Sequence, residues 1–270
     1  MGESKQTPHP TLNANIIDWS KDFSGIVDYV ATRRADPNIP FEVVLVGHSV
    51  GSHLLCFTPK DINQMINRVL MVSVFNACFD FWKPLKSKEH LKNYANIRLF
   101  FGSEPILSKL YGYFPAKTVW GAMEDLPSGV AKQWHYFQQH KQYAVDQEGR
   151  PYIPHGLEQV DFLAWVFQDD VYTNKNSVEQ FNKKFYDKCH SFQLEVIKPE
   201  KEKPSADLKK FEMGHLGFFR KHVRDSTSLW RDAWQFMIEG KVVRRDSIVK
   251  VQPQDTDNIV PNPTLRFSKL

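Results

Sequence analysis

The stretch Phe41-Glu42-Val43-Val44-Leu45-Val46-Gly47-His48-Ser49-Val50-Gly51 decides the fold. Its first half is a β-branched apolar run between Pro40 and Gly47, which predicts a strand buried on both faces of a sheet. Its second half is a G-x-S-x-G pattern, and Ser52 to Phe57 reads as a short helix ending before Pro59. Composition alone would produce that pattern about 0.04 times in this chain, before the strand and helix context is required. A serine on a tight turn from strand to helix has its hydroxyl thrust out of the chain. The flanking Gly47 and Gly51 are expected because larger side chains would collide with the neighbouring strand and helix. The helix start behind the serine supplies the backbone N–H of Val50, aimed at developing negative charge.

Working outward, Arg68 to Phe75 repeats the apolar strand character, so strand, helix and strand form a βαβ unit and predict a parallel sheet. Upstream, Ile16, Ile17, Trp19, Phe23, Ile26, Val27 and Val30 recur at helical spacing within Asn13–Thr32. Downstream, Asn76 to about His155 is aromatic and punctuated by Pro and Gly, which reads as packed helices inserted into the sheet domain. Sheet character returns at Val160–Phe167 and Phe192–Ile197 with a helix at Asn176–Lys188 between them, a second βαβ unit. Pro199–Asp207 reads as a solvated loop, and Leu229–Ile238 as a final helix. The expected organisation is α/β: 1–78 as the first part of the core with the serine turn, 79–155 as a helical insertion, 156–240 as the second part of the core, and 241–270 as a polar, loosely ordered tail.

A nucleophilic serine needs a base, and in this order of elements the base comes last, after an acid that follows a later strand. Met213-Gly214-His215-Leu216-Gly217 lies in a Gly-flanked loop after the Phe192–Ile197 strand and before the final helix, which singles out His215 among ten histidines. Between nucleophile and base, Gln168-Asp169-Asp170-Val171-Tyr172 closes the strand at Phe167. Either aspartate there could orient the imidazole. His48, beside the serine, is expected to pack or hydrogen-bond at the turn and not to serve as a second base. Glu124-Asp125 reads as a solvated helix start, and Trp134 and Tyr136 are as readily packing residues as substrate contacts. His135 and His140, five apart, do not share one helical face, and no third metal ligand is apparent.

On these residues the chain resembles the α/β-hydrolase superfamily. It looks most like uncharacterised predicted hydrolases of the serine-aminopeptidase and lipase-like branch, through Gly47-His48-Ser49-Val50-Gly51, through Asp170 with Val171-Tyr172-Thr173, and through Gly214-His215-Leu216-Gly217-Phe218-Phe219-Arg220. Tyr111-Gly112-Tyr113-Phe114-Pro115 and the Glu124–Trp134 segment resemble the aromatic cap of that group. The resemblance extends from Gly2 to Gly240. It implies an α/β-hydrolase fold with a mostly parallel sheet and a helical, aromatic-rich cap. It also implies a triad of Ser49, Asp170 and His215, with Asp170 preferred over Asp169 and the Val50 N–H as one oxyanion donor.

The resemblance departs at the front. Such hydrolases place several strands before the serine turn, whereas here the serine is residue 49. Gly2-Glu3-Ser4 resembles the end of the loop after the fourth strand of that fold, so the expectation is an N-terminally shortened chain, either a fragment of a longer product or a shortened relative whose sheet is completed by a partner or by self-association. The N-terminal strands and the second oxyanion donor would then be lacking, and an unpaired sheet edge would be open to self-association.

Composition narrows the partners. The net charge is +4, but the basic residues are scattered and form no run of the kind that tracks phosphates, so nucleic acid is not expected. No stretch reaches the length of a bilayer span, and the polar N-terminus lacks the apolar core of a signal peptide. Cys56, Cys78 and Cys189 are odd in number and far apart, which fits reduced thiols in a cytoplasmic compartment. The expectation is a cofactor-free serine hydrolase for small ester or acyl substrates. Its alternative is a noncatalytic scaffold or binding protein that keeps the fold without a working oxyanion hole.

Overall fold

The computed structural model describes residues 13–33, 41–81, 88–121, 124–173, 175–199, 212–242 and 247–251. The expected loop at Pro199–Asp207 and most of the expected tail lie outside them. Contacts divide the chain into two units: one built from residues up to Phe23 with Asn76–Tyr152, the other from Ser24–Phe75 with the chain from Ile153 onward.

The second unit is organised around a five-stranded sheet. Its strands are β1 (Val43–His48), β2 (Ile66–Val72), β5 (Asp161–Phe167), β6 (Ser191–Ile197) and β7 (Ser247–Val251), in that spatial order. The first four are parallel and β7 is antiparallel to β6. Strand β7 falls in the stretch read from sequence as a polar tail. Interior strands of a parallel sheet are covered on both faces and therefore carry continuous apolar runs. Val69, Leu70, Met71 and Val72 of β2 are wholly buried, as are nearly all side chains of Phe162–Phe167 in β5.

On one face Leu70, Val72, Leu163, Trp165 and Phe167 pack with Met213, Phe218 and Val223 and with Leu229, Ala233 and Phe236 of the last helix (Leu229–Glu239). Arg68, buried at the foot of β2, is held by both carboxylate oxygens of Glu42 at 2.7 and 3.1 Å. It also donates to the Met237 carbonyl at 2.8 Å, which ties the sheet to that helix.

Strand β1 differs from its expectation. Its Val43-Val44-Leu45-Val46 run is as apolar as that of β2, yet among the described residues it pairs only with β2 and stands at the sheet edge. Its side chains are half-buried, and Val46 is exposed at 40%. The apolar run encodes a strand, but its covering depends on neighbours that its own residues do not specify. The β1–β2 register slips at Asn67, whose side-chain oxygen accepts the Val43 N–H at 2.8 Å. Between the strands, the helix expected at Ser52–Phe57 starts two residues earlier, as α2 (Val50–His53), and tightens into a 3₁₀ turn at Leu54–Cys56, and the one-turn helix α3 (Lys60–Asn63) follows.

The first unit is helical and aromatic-rich. Its members are the long helix α4 (Lys88–Tyr111), α5 (Ala116–Trp120), α6 (Ser128–Gln138) and a small antiparallel hairpin of β3 (Tyr113–Phe114) with β4 (Leu126–Pro127). Phe101, Phe114 and Trp120 each meet the Phe100 ring edge-on, with centroids 5.0 to 5.6 Å apart. Trp134 packs against Phe101 at 5.4 Å, so its place is in this core. Helix α1 (Ile16–Thr32) is capped reciprocally: Asn15 Oδ1 accepts the Ile17 and Asp18 N–H groups, and Asp18 accepts the Asn15 N–H.

Helix α4 continues through Pro105, which has no N–H to offer the Phe101 carbonyl four residues earlier. His135 of α6 donates its Nδ1–H to that carbonyl at 3.3 Å. His140 likewise bonds within its own segment, to the Tyr136 carbonyl at 2.9 Å. Glu124 pairs with Lys117 at 3.2 Å, and Asp125 accepts the Lys117 N–H.

Candidate functional site

At the end of β1 the chain reverses into α2 at Ser49, which has φ 50° and ψ −123°. A non-glycine residue rarely adopts this conformation, and it costs of order 1–3 kcal/mol unless the surroundings hold it. They do: the Ser49 N–H donates to the Val72 carbonyl at 2.9 Å and the Ser49 carbonyl accepts the Ser52 N–H at 3.0 Å. The turn needs Gly47, because a Cβ there would lie 2.6 Å from Ser52 Oγ and 3.0 Å from Ser52 Cα. The expectation for Gly51 is not met among the described residues: a Cβ there would meet none of their atoms within 4 Å. Val50 is the first residue of α2, so its N–H is one of the four that a helix start leaves without an intrahelical partner.

The acid segment follows β5. The Gln168 N–H still donates to the Ile197 carbonyl at 2.9 Å, and the Asp170 N–H turns back to the Phe167 carbonyl at 3.1 Å. Asp169 and Asp170 therefore leave a stiff strand end. Asp170 is buried and its Oδ2 accepts from His215 Nδ1 at 2.8 Å, while Oδ1 accepts the Tyr172 N–H at 2.9 Å. With Nδ1 donating, an imidazole in its neutral form here would have Nε2 as its acceptor. Asp169 does a different job: Oδ2 accepts the Met213 N–H at 2.8 Å and Oδ1 the Gly214 N–H at 3.1 Å.

His215 sits in a turn that begins at Gly214, whose φ of +55° suits a residue without Cβ. Its side chain is largely shielded, with the rings of His48 at 4.9 Å, Tyr172 at 5.0 Å and Phe75 at 6.0 Å. His48 Nε2 donates to the His215 carbonyl at 2.8 Å, which joins the residue before Ser49 to the loop that carries His215. Burial pushes the His48 pKa down, favouring the neutral ring. Burial, and then the Asp170 carboxylate, push the Tyr172 phenol up.

The structure thus brings His215 to Asp170 and ties their loop to the serine turn. Sequence reasoning reached His48 as a packing or bonding residue but not its partner, because the carbonyl it meets is 167 residues away. Behind the turn, His53 is fully buried, bonds the Phe75 carbonyl at 3.1 Å and is driven by burial to a pKa of about 3. Cys56, Cys78 and Cys189 are buried free thiols. Burial raises the first to about 11 and the last to about 12, which makes them poor nucleophiles. Among the described residues no group of three His, Cys, Asp or Glu side chains is arranged to hold a metal ion. No described helix is long and apolar enough to cross a membrane.

No protein-family model matches the chain, and neither does any curated protein. Solved structures do match. One is alpha/beta hydrolase domain-containing protein 10 from mouse, at 13% identity over 84% of this chain and 70% of that one, with a TM-score of 0.39. Another is the type II thioesterase BorB from the borrelidin biosynthetic cluster, at 13% identity, the same coverages and a TM-score of 0.36. A third is Est816, an N-acyl homoserine lactone degrading enzyme, at 15% identity over 72% of this chain and 70% of that one, with a TM-score of 0.35. The chain's own architecture is a mostly parallel sheet with flanking helices and a strained serine turn between its first two described strands.

Proposed function

We propose that the chain is a serine hydrolase for small carboxylic esters or related acyl compounds, with Ser49 as nucleophile, His215 as general base and Asp170 as its orienting acid. The observation that carries this reading is the 2.8 Å bond from His215 Nδ1 to buried Asp170, on a loop bonded to the residue next to a strained, partly exposed serine. In the reaction, Ser49 Oγ attacks the acyl carbon as its proton passes to His215 Nε2. The Val50 N–H stabilises the developing oxyanion. The imidazolium then protonates the leaving group as the carbon–leaving-group bond breaks, and water hydrolyses the acyl-serine by the same steps in reverse. These residues do the work without a cofactor.

Supporting features extend to the assembly. Among the described residues, the half-buried strand β1 has no partner on its outer edge and carries no charged side chain, and an edge of this kind invites a second strand. Self-association along β1 belongs to the same reading. A cytoplasmic location fits three buried free thiols.

The test is hydrolysis of p-nitrophenyl acetate and butyrate, with fluorophosphonate labelling, by the chain and by Ser49→Ala. Turnover and labelling that vanish in the folded Ser49→Ala variant are the expected result. A folded chain that neither labels nor turns over would overturn the hydrolase reading and favour a scaffold.

A further inference from the structure

We propose that Asp169 is a positioning residue for the base: it holds the backbone of the His215 loop while Asp170 holds the ring. The inference rests on reading His215 as the general base. Two adjacent carboxylates leave one strand end, and each takes a different part of the same loop. Both Asp169 oxygens are engaged, one by the Met213 N–H at 2.8 Å and one by the Gly214 N–H at 3.1 Å. On the far side of the same residue, His48 holds the His215 carbonyl at 2.8 Å. His215 is therefore fixed before its Cα by Asp169, after it by His48, and at Nδ1 by Asp170.

The physical case for Asp169 rests on charge and burial. Hydrogen bonds from backbone N–H groups to a carboxylate are short and about twice as strong as neutral ones. Met213 is wholly buried, so its N–H has no ready exchange partner in water. Gly214 contributes no side-chain packing, which leaves the turn dependent on its backbone bonds. An imidazole swings from its Cα, and a displacement of about 1 Å at a reacting group costs roughly 10²-fold in rate. The Asp170 bond alone fixes one ring atom and leaves the backbone pivot free.

Asp169→Asn is the discriminating change. An asparagine keeps one acceptor oxygen but sets its NH₂ group against the second N–H, so one bond is lost and two donors face each other. Three readouts are taken on the full chain: amide hydrogen exchange at Met213 and Gly214, the downfield proton resonance of the His215–Asp170 bond, and steady-state hydrolysis of p-nitrophenyl butyrate. In Asp169→Asn, exchange at those two amides rises at least about 10-fold, and the downfield resonance broadens or disappears although Asp170 is intact. By the same geometric argument kcat falls about 10- to 100-fold with KM within about twofold. Asp169→Glu, which keeps the charge and both oxygens, recovers part of each.

Fast exchange of both amides in the unmodified chain, or an unchanged resonance in Asp169→Asn, overturns the proposal. So does a kcat within twofold of the unmodified chain's. The exchange and resonance readouts need no turnover. A chain with intact resonance and no Ser49-dependent hydrolysis would count against the hydrolase reading alone. If Asp169→Asn does not fold, Asp169→Glu is read by the same three measures, with smaller effects expected in the same directions and no effect overturning the proposal.

Discussion

Asp170 keeps its carboxylate out of water because both oxygens have partners, His215 Nδ1 on one and the Tyr172 N–H on the other. Asp170→Asn would present the ring with an amide and favour the wrong imidazole tautomer. Hydrolysis is expected to fall about 10⁴-fold, a larger loss than at Asp169, while hydrogen exchange at Met213 and Gly214 stays slow. The two glycines of the serine turn make a second comparison at this scale. Gly47→Ala forces a Cβ to 2.6 Å from buried Ser52 Oγ, and about 1–3 kcal/mol of stability should be lost. Gly51→Ala enters open space on a helix and should be neutral or stabilise by up to about 1 kcal/mol. Urea unfolding midpoints of the two variants, measured side by side, check both statements.

Helix α4 shows how an element tolerates a residue that ought to break it. Pro105 withholds the N–H that the Phe101 carbonyl would take within the helix, and His135 of α6 supplies a side-chain donor in its place. A double-mutant cycle tests the compensation. His135→Ala alone is expected to cost about 1 kcal/mol. In a Pro105→Ala background, where residue 105 regains an N–H, the cost should drop by at least half. Equal costs in the two backgrounds would separate the proline from the histidine.

For the molecule as a whole, pH acts on stability through buried groups that folding keeps neutral. His53 titrates near 3 in the folded state and near 6.5 when unfolded. Above about 6.5 it is neutral in both states and has no effect. Below that the unfolded chain binds a proton that the folded chain refuses, so stability falls by up to about 1.4 kcal/mol per pH unit until near pH 3. His48, also lowered by burial, acts in the same direction. His190 opposes them, because its bond to Asp161 raises its pKa: that contribution is present below about 6.5 and lost as pH rises through the folded value. The His190 pair is partly exposed and solvent screens it. Glu104 also opposes the buried histidines: burial raises its pKa well above the usual carboxylate value, so above about 4.5 the unfolded chain loses a proton that the folded chain keeps, and stability falls as pH rises. Between pH 6.5 and 5 the melting temperature of His53→Gln should fall less, or rise more, than that of the unmodified chain as pH is lowered, which isolates the His53 contribution. At the sheet edge, Val46→Lys puts a charge on an exposed β1 position and should shift any self-associated species toward monomer in sedimentation velocity without lowering the melting temperature.

Local sequence by itself determined the alternation of strands and helices, the serine turn and the place of His215. Continuous apolar runs, a glycine before the turn serine and a glycine opening the His215 turn are short-range requirements, visible without neighbours. Other features were decided only by tertiary structure. Val43–Val46 and Val69–Val72 are equally apolar, and only strand order makes one an edge and the other a core strand. Asp169 and Asp170 are identical neighbours in the chain, and only the path of the loop 45 residues later gives the ring to one and the backbone to the other. The partners of His48 and His135 are carbonyls brought near by folding, and a backbone carbonyl leaves no mark in a sequence.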